Sequence, residues 1–284
     1  MSSGFSLPRT SGFSLPRTDY GHRPEPYQGV NDPRIPAHVR AGRTHETTPE
    51  HTHRAVTSTS APRMPWDRFY TLMNWRQGEH VGLIGPTGQG KTTLLISLLT
   101  QRTYVCVFGT KPRDETMEKM IASGYMHYEK WQNIPAAKVP KRVIWPDSRS
   151  IDSEDEQREV FKKAYAAAFR EGGWTITIDE GWYMGKVLGL EKPMRAVWTQ
   201  GRSLGVTQVV ATQRPAWIPG EMYDQSTHLF FWRNNDARMI QRVAEIGTTN
   251  SAAIRVLLPN LDEFECLYLN TRTGKMYRTR APAP

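Results

Sequence analysis

Three observations predict an α/β protein with a mainly parallel central sheet flanked by helices. The apolar run Val81-Gly82-Leu83-Ile84 leads straight into a glycine-rich segment that opens an apolar helix, Thr92 to Leu99. A second apolar run, Thr175-Ile176-Thr177-Ile178, ends in the acids Asp179-Glu180. Strand-like and helix-like stretches alternate through the rest of the chain, an order that makes strands parallel and gathers ligands at their carboxyl ends.

The first run ends in Gly85-Pro86-Thr87-Gly88-Gln89-Gly90-Lys91-Thr92, which fits G-x-x-x-x-G-K-[ST], the Walker A pattern. Its glycines let successive backbone N–H groups turn toward phosphate oxygens, Lys91 reaches the β and γ phosphates, and the Thr92 hydroxyl ligates Mg2+. Gly85 through Thr93 are therefore expected to bind ATP, with the helix N-terminus adding partial positive charge.

Two further strands are expected at Tyr104 to Phe108 and Arg142 to Trp145. The second precedes a helix with a capping box in Ser153-Glu154-Asp155-Glu156, followed by Val160, Phe161, Ala164, Tyr165, Ala168 and Phe169 at helical spacing, a core-facing stripe. The strand ending in Asp179-Glu180 reads as Walker B. Asp179 would hold hydrated Mg2+ and Glu180 would polarise the attacking water, a role that hydrolysis needs. A helix from about Pro193 to Leu204 gives way at Gly205 to the strand Thr207 to Thr212. Gln213 follows, an amide at a strand tip where it can sense the γ-phosphate. Beyond it come a strand from His228 to Trp232, a helix reaching about Ile246, and a C-terminal β-hairpin of Phe264 to Asn270 and Lys275 to Arg278 with Gly274 in the turn.

The 284 residues are 38% hydrophobic, lean for a fully folded chain. The deficit lies in residues 1–64, rich in Pro, Ser, Thr, Arg and His, which read as a disordered arm preceding an ATPase domain of residues 65–284. The arm holds a tandem repeat, Ser3 to Thr10 and Ser11 to Thr18, which reads either as a duplicated docking peptide for a protein partner or as an inert arm left by duplication. His45, His51 and His53 read as solvated tail. Cys106 and Cys266 sit in apolar runs and read as buried free thiols. No apolar run approaches the roughly 18 residues needed to cross a bilayer, and no secretory signal is legible, so the expectation is a cytoplasmic protein without membrane contact, in the host cytoplasm if viral. A net charge of +9 and a pI near 9.6 favour a polyanionic partner.

Together the phosphate loop, Ile178-Asp179-Glu180, Gly201-Arg202-Ser203-Leu204-Gly205-Val206 and Ala211-Thr212-Gln213-Arg214-Pro215 resemble the HerA/FtsK superfamily of DNA-pumping ATPases, over about Trp66 to Arg280. The resemblance implies a RecA-like P-loop NTPase fold and a homo-oligomeric ring, commonly a hexamer. It also implies ATP hydrolysis that moves double-stranded DNA, with viral genome packaging or plasmid transfer as the expected setting. It places Arg202 as the arginine finger acting on a neighbouring subunit's site, with Arg238 competing for that role. Lys111, in Gly109-Thr110-Lys111-Pro112, resembles the family's strand-end Asp-Pro-Lys, with Thr110 replacing the acid. The alternative is a nucleotide-switch or assembly ATPase that remodels a protein partner without DNA. A small-molecule kinase fits less well, because an acid pair followed by a strand-end Gln is hydrolytic equipment.

Overall fold

In the computed structural model, residues 61–214, 218–246 and 251–282 are described, so the arm up to residue 60, with its repeat and histidines, lies outside the described residues. Nine strands form one sheet: β1 (His80–Ile84), β2 (Val105–Phe108), β3 (Met126–Tyr128), β4 (Lys141–Ile144), β5 (Thr175–Ile178), β6 (Thr207–Thr212), β7 (Ser226–Trp232), β8 (Cys266–Asn270) and β9 (Met276–Thr279). Their order across the sheet is β3-β4-β2-β5-β6-β1-β7-β8-β9. The first seven are parallel, and β8 and β9 run antiparallel as the hairpin the sequence predicts.

The helices are α1 (Trp66–Met73), α2 (Lys91–Leu99), α3 (Glu115–Ala122), α4 (Glu154–Glu171), α5 (Glu191–Gln200), α6 (Glu221–Gln225), α7 (Ala237–Ile246) and α8 (Ser251–Leu257). Every residue of β1, β2, β5, β6 and β7 is buried, as strands covered on both faces must be. Alternation along each strand divides the core in two. Val105 and Val107 join Leu94, Leu98 and Phe69 on one face, whereas Cys106 and Phe108 join Phe161, Tyr165 and Trp198 on the other. Both cysteines are buried free thiols, as expected.

One local reading is corrected. Ser153 makes no side-chain cap at α4, because a 3-10 turn over Ile151–Ser153 already carries it into helical backbone (φ −74°, ψ −3°). Its hydroxyl instead accepts from Gln157 Nε2 at 3.2 Å, and Ser150 caps the short turn through Asp152 N–H. Upstream, residues 61–64 lie along β9: Arg278 N–H donates to Pro62 O at 3.0 Å and Met64 N–H to Arg278 O at 2.8 Å. Arg63 adds an ion pair to Glu265 at 2.7 Å.

The amino end of the sheet buries ionisable groups. His80 is 2% exposed, and its Nδ1 accepts the Gln208 N–H at 3.0 Å. Burial, opposed by the Trp198 carbonyl and reinforced by Arg202 and Arg272, lowers its pKa to about 4. The folded protein thus holds His80 neutral while the unfolded chain accepts a proton near pH 6.5. The contribution is fully present above pH 6.5 and is lost as pH falls toward 4, about 3 kcal/mol over the window. Urea unfolding at pH 7 and pH 4.5 is expected to show that loss, and H80N to reduce it; equal pH dependence in the two proteins would refute the assignment. Nearby, His228 Nε2 meets Glu79 at 3.1 Å and its Nδ1 meets the Tyr268 hydroxyl at 2.8 Å. Burial also depresses His228, so its contribution falls with acid in the same direction.

Candidate active site

Three strand tips converge at the carboxyl edge. β6 lies between β1 and β5, with Ile84 paired to Thr212 and Ile178 to Val210, so the phosphate loop, Asp179-Glu180 and Gln213 emerge side by side. The loop is tied to this edge by Gly85 N–H donating to Thr212 O at 3.1 Å. A side chain at position 85 would put its Cβ 2.7 Å from Trp232 Cβ, so only glycine lets the chain turn there. Gly90 caps α2 with φ 92°, and among the described residues no side-chain cap bonds the first N–H groups of that helix.

Lys91 is 7% exposed and its Nζ donates to Pro86 O at 2.7 Å. Burial lowers its pKa, while Asp179 and Glu180 oppose that loss of charge. Thr92 Oγ1 donates to Asp179 Oδ1 at 3.3 Å. A hydroxyl and a carboxylate so placed are the hard oxygen donors that suit Mg2+, so the pair fits the ion the motif implies.

A hydrogen-bonded chain crosses the site. Thr87 Oγ1 donates to Gln213 Oε1 at 2.7 Å, and Gln213 Nε2 donates to Glu180 Oε1 at 3.0 Å. Glu180 Oε2 accepts from Trp182 Nε1 at 3.0 Å, and the Arg214 guanidinium lies over the Trp182 ring at 4.9 Å. Lys111 Nζ stands 3.6 Å from both Asp179 and Glu180. Burial disfavours its charge, but Asp179, Asp114 and Glu180 outweigh that and raise its pKa. Lys111 thus reaches the acid pair even though Thr110 stands in the preceding position.

A cavity of about 320 Å³ is lined by the loop, Lys111, Asp179, Glu180 and Gln213. A wider one of about 590 Å³ opens on the far side of Glu180, with Arg149, Trp182 and Arg214 on its walls. The two arginines lie elsewhere. Arg202 is exposed on the 3-10 turn Gly201–Leu204 at the amino end of β6, a strand's length of roughly 20 Å from Gln213. Its backbone packs on Gly78, just before β1. Arg238 is exposed in the first turn of α7, beyond the carboxyl end of β7, with its N–H donating to Asp236 at 2.8 Å.

Sequence reading missed Trp182 and Phe264. Trp182 stands immediately before the π-helical turn Tyr183–Val187, which no apolar period announces. Since it holds one oxygen of Glu180, W182F is expected to lower kcat about tenfold and leave KM nearly unchanged in steady-state ATPase assays. A rise in KM at unchanged kcat would show that the indole serves binding instead.

No protein-family model matches this chain, and no curated protein matches it in sequence. Solved structures do match in fold. The genome packaging NTPase B204 from Sulfolobus turreted icosahedral virus 2, in complex with AMP, aligns over 74% of this chain and 100% of its own, at TM-score 0.54 and 15% identity. The same protein with ATP-gammaS aligns over 72% and 98%, at TM-score 0.52 and 14% identity. VirB4 of Thermoanaerobacter pseudethanolicus aligns over 72% and 89%, at TM-score 0.56 and 10% identity. At these identities the likeness shows a shared fold.

Proposed function

We propose that this chain is an ATP-hydrolysing motor that moves double-stranded DNA, in genome packaging or plasmid transfer. The observation that carries the reading is the chain Thr87–Gln213–Glu180, which joins the phosphate loop to the acid that would polarise water. It is the wiring a hydrolase needs to couple γ-phosphate loss to movement. The fold shared with a packaging NTPase and with VirB4 supports the setting.

Lys91 and the N-terminus of α2 would hold the phosphates, and Glu180, fixed at both oxygens, would orient the attacking water. Thr92 and Asp179 would hold Mg2+, which neutralises phosphate charge when bound. Gln213 would report the γ-phosphate to the loop through Thr87. Because Arg202 stands at the opposite end of the sheet, it would serve a neighbouring subunit's site in a ring. The wide cavity beside Glu180 leaves room for such a group. Among the described residues no helix is long and apolar enough to cross a membrane.

The test is ATP hydrolysis with and without long double-stranded DNA at low and moderate salt. Strong stimulation that fades as salt rises is expected, because contacts made to phosphates release counterions. Hydrolysis indifferent to DNA would instead favour an assembly ATPase acting on a protein partner.

A further inference from the structure

Beside the phosphate loop lies a second cavity of about 350 Å³, lined by Thr93, Leu94, Trp232, Phe264, Arg280 and neighbouring backbone. It shares Gly90, Thr93 and Phe264 with the phosphate cavity, so one molecule can span both. Its walls are mostly apolar. Trp232, at the end of β7, is 1% exposed, yet its indole Nε1–H has no hydrogen-bond partner among the described residues. A buried donor left unmet is costly, and this one sits 3.8 Å from where a Cβ on Gly90 would stand, at the seam between the two cavities. Phe264 is 45% exposed and holds φ 60°, a left-handed backbone that a bulky residue rarely adopts. That backbone carries the Phe264 ring to within 3.6 Å of the same Gly90 position.

We propose that this second cavity receives the nucleoside of the nucleotide whose phosphates the loop would hold. Phe264 forms the stacking platform for the base, and Trp232 Nε1–H donates to a nucleoside or α-phosphate acceptor. The inference rests on the nucleotide-binding reading above and deepens it. Among the described residues, the side chains lining the cavity include no carboxylate and no carboxamide, the groups that pair donor and acceptor against a base edge. Trp232 and Arg280 only donate. The Thr93 hydroxyl, which donates and accepts alike, does not by itself set one purine against the other, so adenine and guanine are accepted alike, and pyrimidines bind more weakly because they stack over less area.

Calorimetric titration of the full chain with ATP, GTP, UTP and inorganic tripolyphosphate tests this. Similar Kd values for ATP and GTP and a weaker one for UTP are expected. F264A, at an exposed position that does not endanger folding, is expected to weaken both purine nucleotides about tenfold while leaving tripolyphosphate unchanged, and F264W to restore them. W232F, which keeps an aromatic ring without the N–H, is expected to weaken ATP but not tripolyphosphate. Unchanged ATP binding by F264A, or a preference of more than about a hundredfold between ATP and GTP, overturns the subsite and leaves the phosphate loop intact. Failure of the folded wild-type chain to bind either ATP or tripolyphosphate would sink the underlying nucleotide reading itself.

Discussion

Glu180→Gln is expected to lower steady-state ATP turnover by about a thousandfold while the chain still binds nucleotide, because a positioned base would be replaced by an amide of the same shape. The substitution is gentle on the fold, because the side chain sits at a strand tip beside two cavities and not within the core. What changes is the charge. In the native site Glu180 receives N–H groups from Gln213 and Trp182, with Lys111 at 3.6 Å, so its carboxylate is aimed and electrically compensated. An amide keeps one acceptor oxygen, loses the negative charge, and cannot draw a proton from water. Turnover within tenfold of wild type would mean that some other group activates the nucleophile.

Arg202→Ala is expected to cost about a thousandfold in turnover, with nucleotide affinity of the isolated subunit little altered. The argument is positional. Arg202 and Gln213 bracket β6, so no motion short of unfolding brings Arg202 to its own phosphate loop. Any effect it has on turnover would then be exerted on a second copy, and mixing tests this. In a ring built as proposed, E180Q and R202A subunits combined in equal amounts would form interfaces that pair an intact Glu180 from one chain with an intact Arg202 from the other. Partial recovery of activity on mixing is the expected result. No recovery, together with a comparable loss in R238A, would transfer the role to Arg238.

Much of the site was legible because chemistry falls at the ends of apolar runs. Val81 to Ile84, Thr175 to Ile178 and Thr207 to Thr212 are recognisable as buried strands, and the residues that follow them are the polar groups at the sheet edge. The order of strands was not legible. That β6 lies between β1 and β5, so that Gln213 touches Thr87 and Glu180 at once, follows from pairing and not from local pattern. β3 escaped notice because it is an edge strand with Met126 and His127 exposed and has no buried run to betray it. Trp182 and Phe264 escaped for another reason: an aromatic residue in a loop reads as core filler until its neighbours across the fold are known. The capping box at Ser153 failed because a preceding 3-10 turn changes the backbone that the motif assumes.

β6 has six residues, all buried, and the strand is paired to β5 along its first part and to β1 along its last, the two pairings overlapping at Val209 and Val210, so it offers no hinge. In a ring built as proposed, one end of this rod reads the phosphate in its own subunit and the other touches the chemistry next door. Timing between neighbours is then a matter of rigid geometry, transmitted as a tilt of the whole rod. The length of that rod is as much a functional constant as any side chain at its tips. A single added residue would turn one end to the opposite face relative to the other, and in such a ring the two ends would no longer act in step.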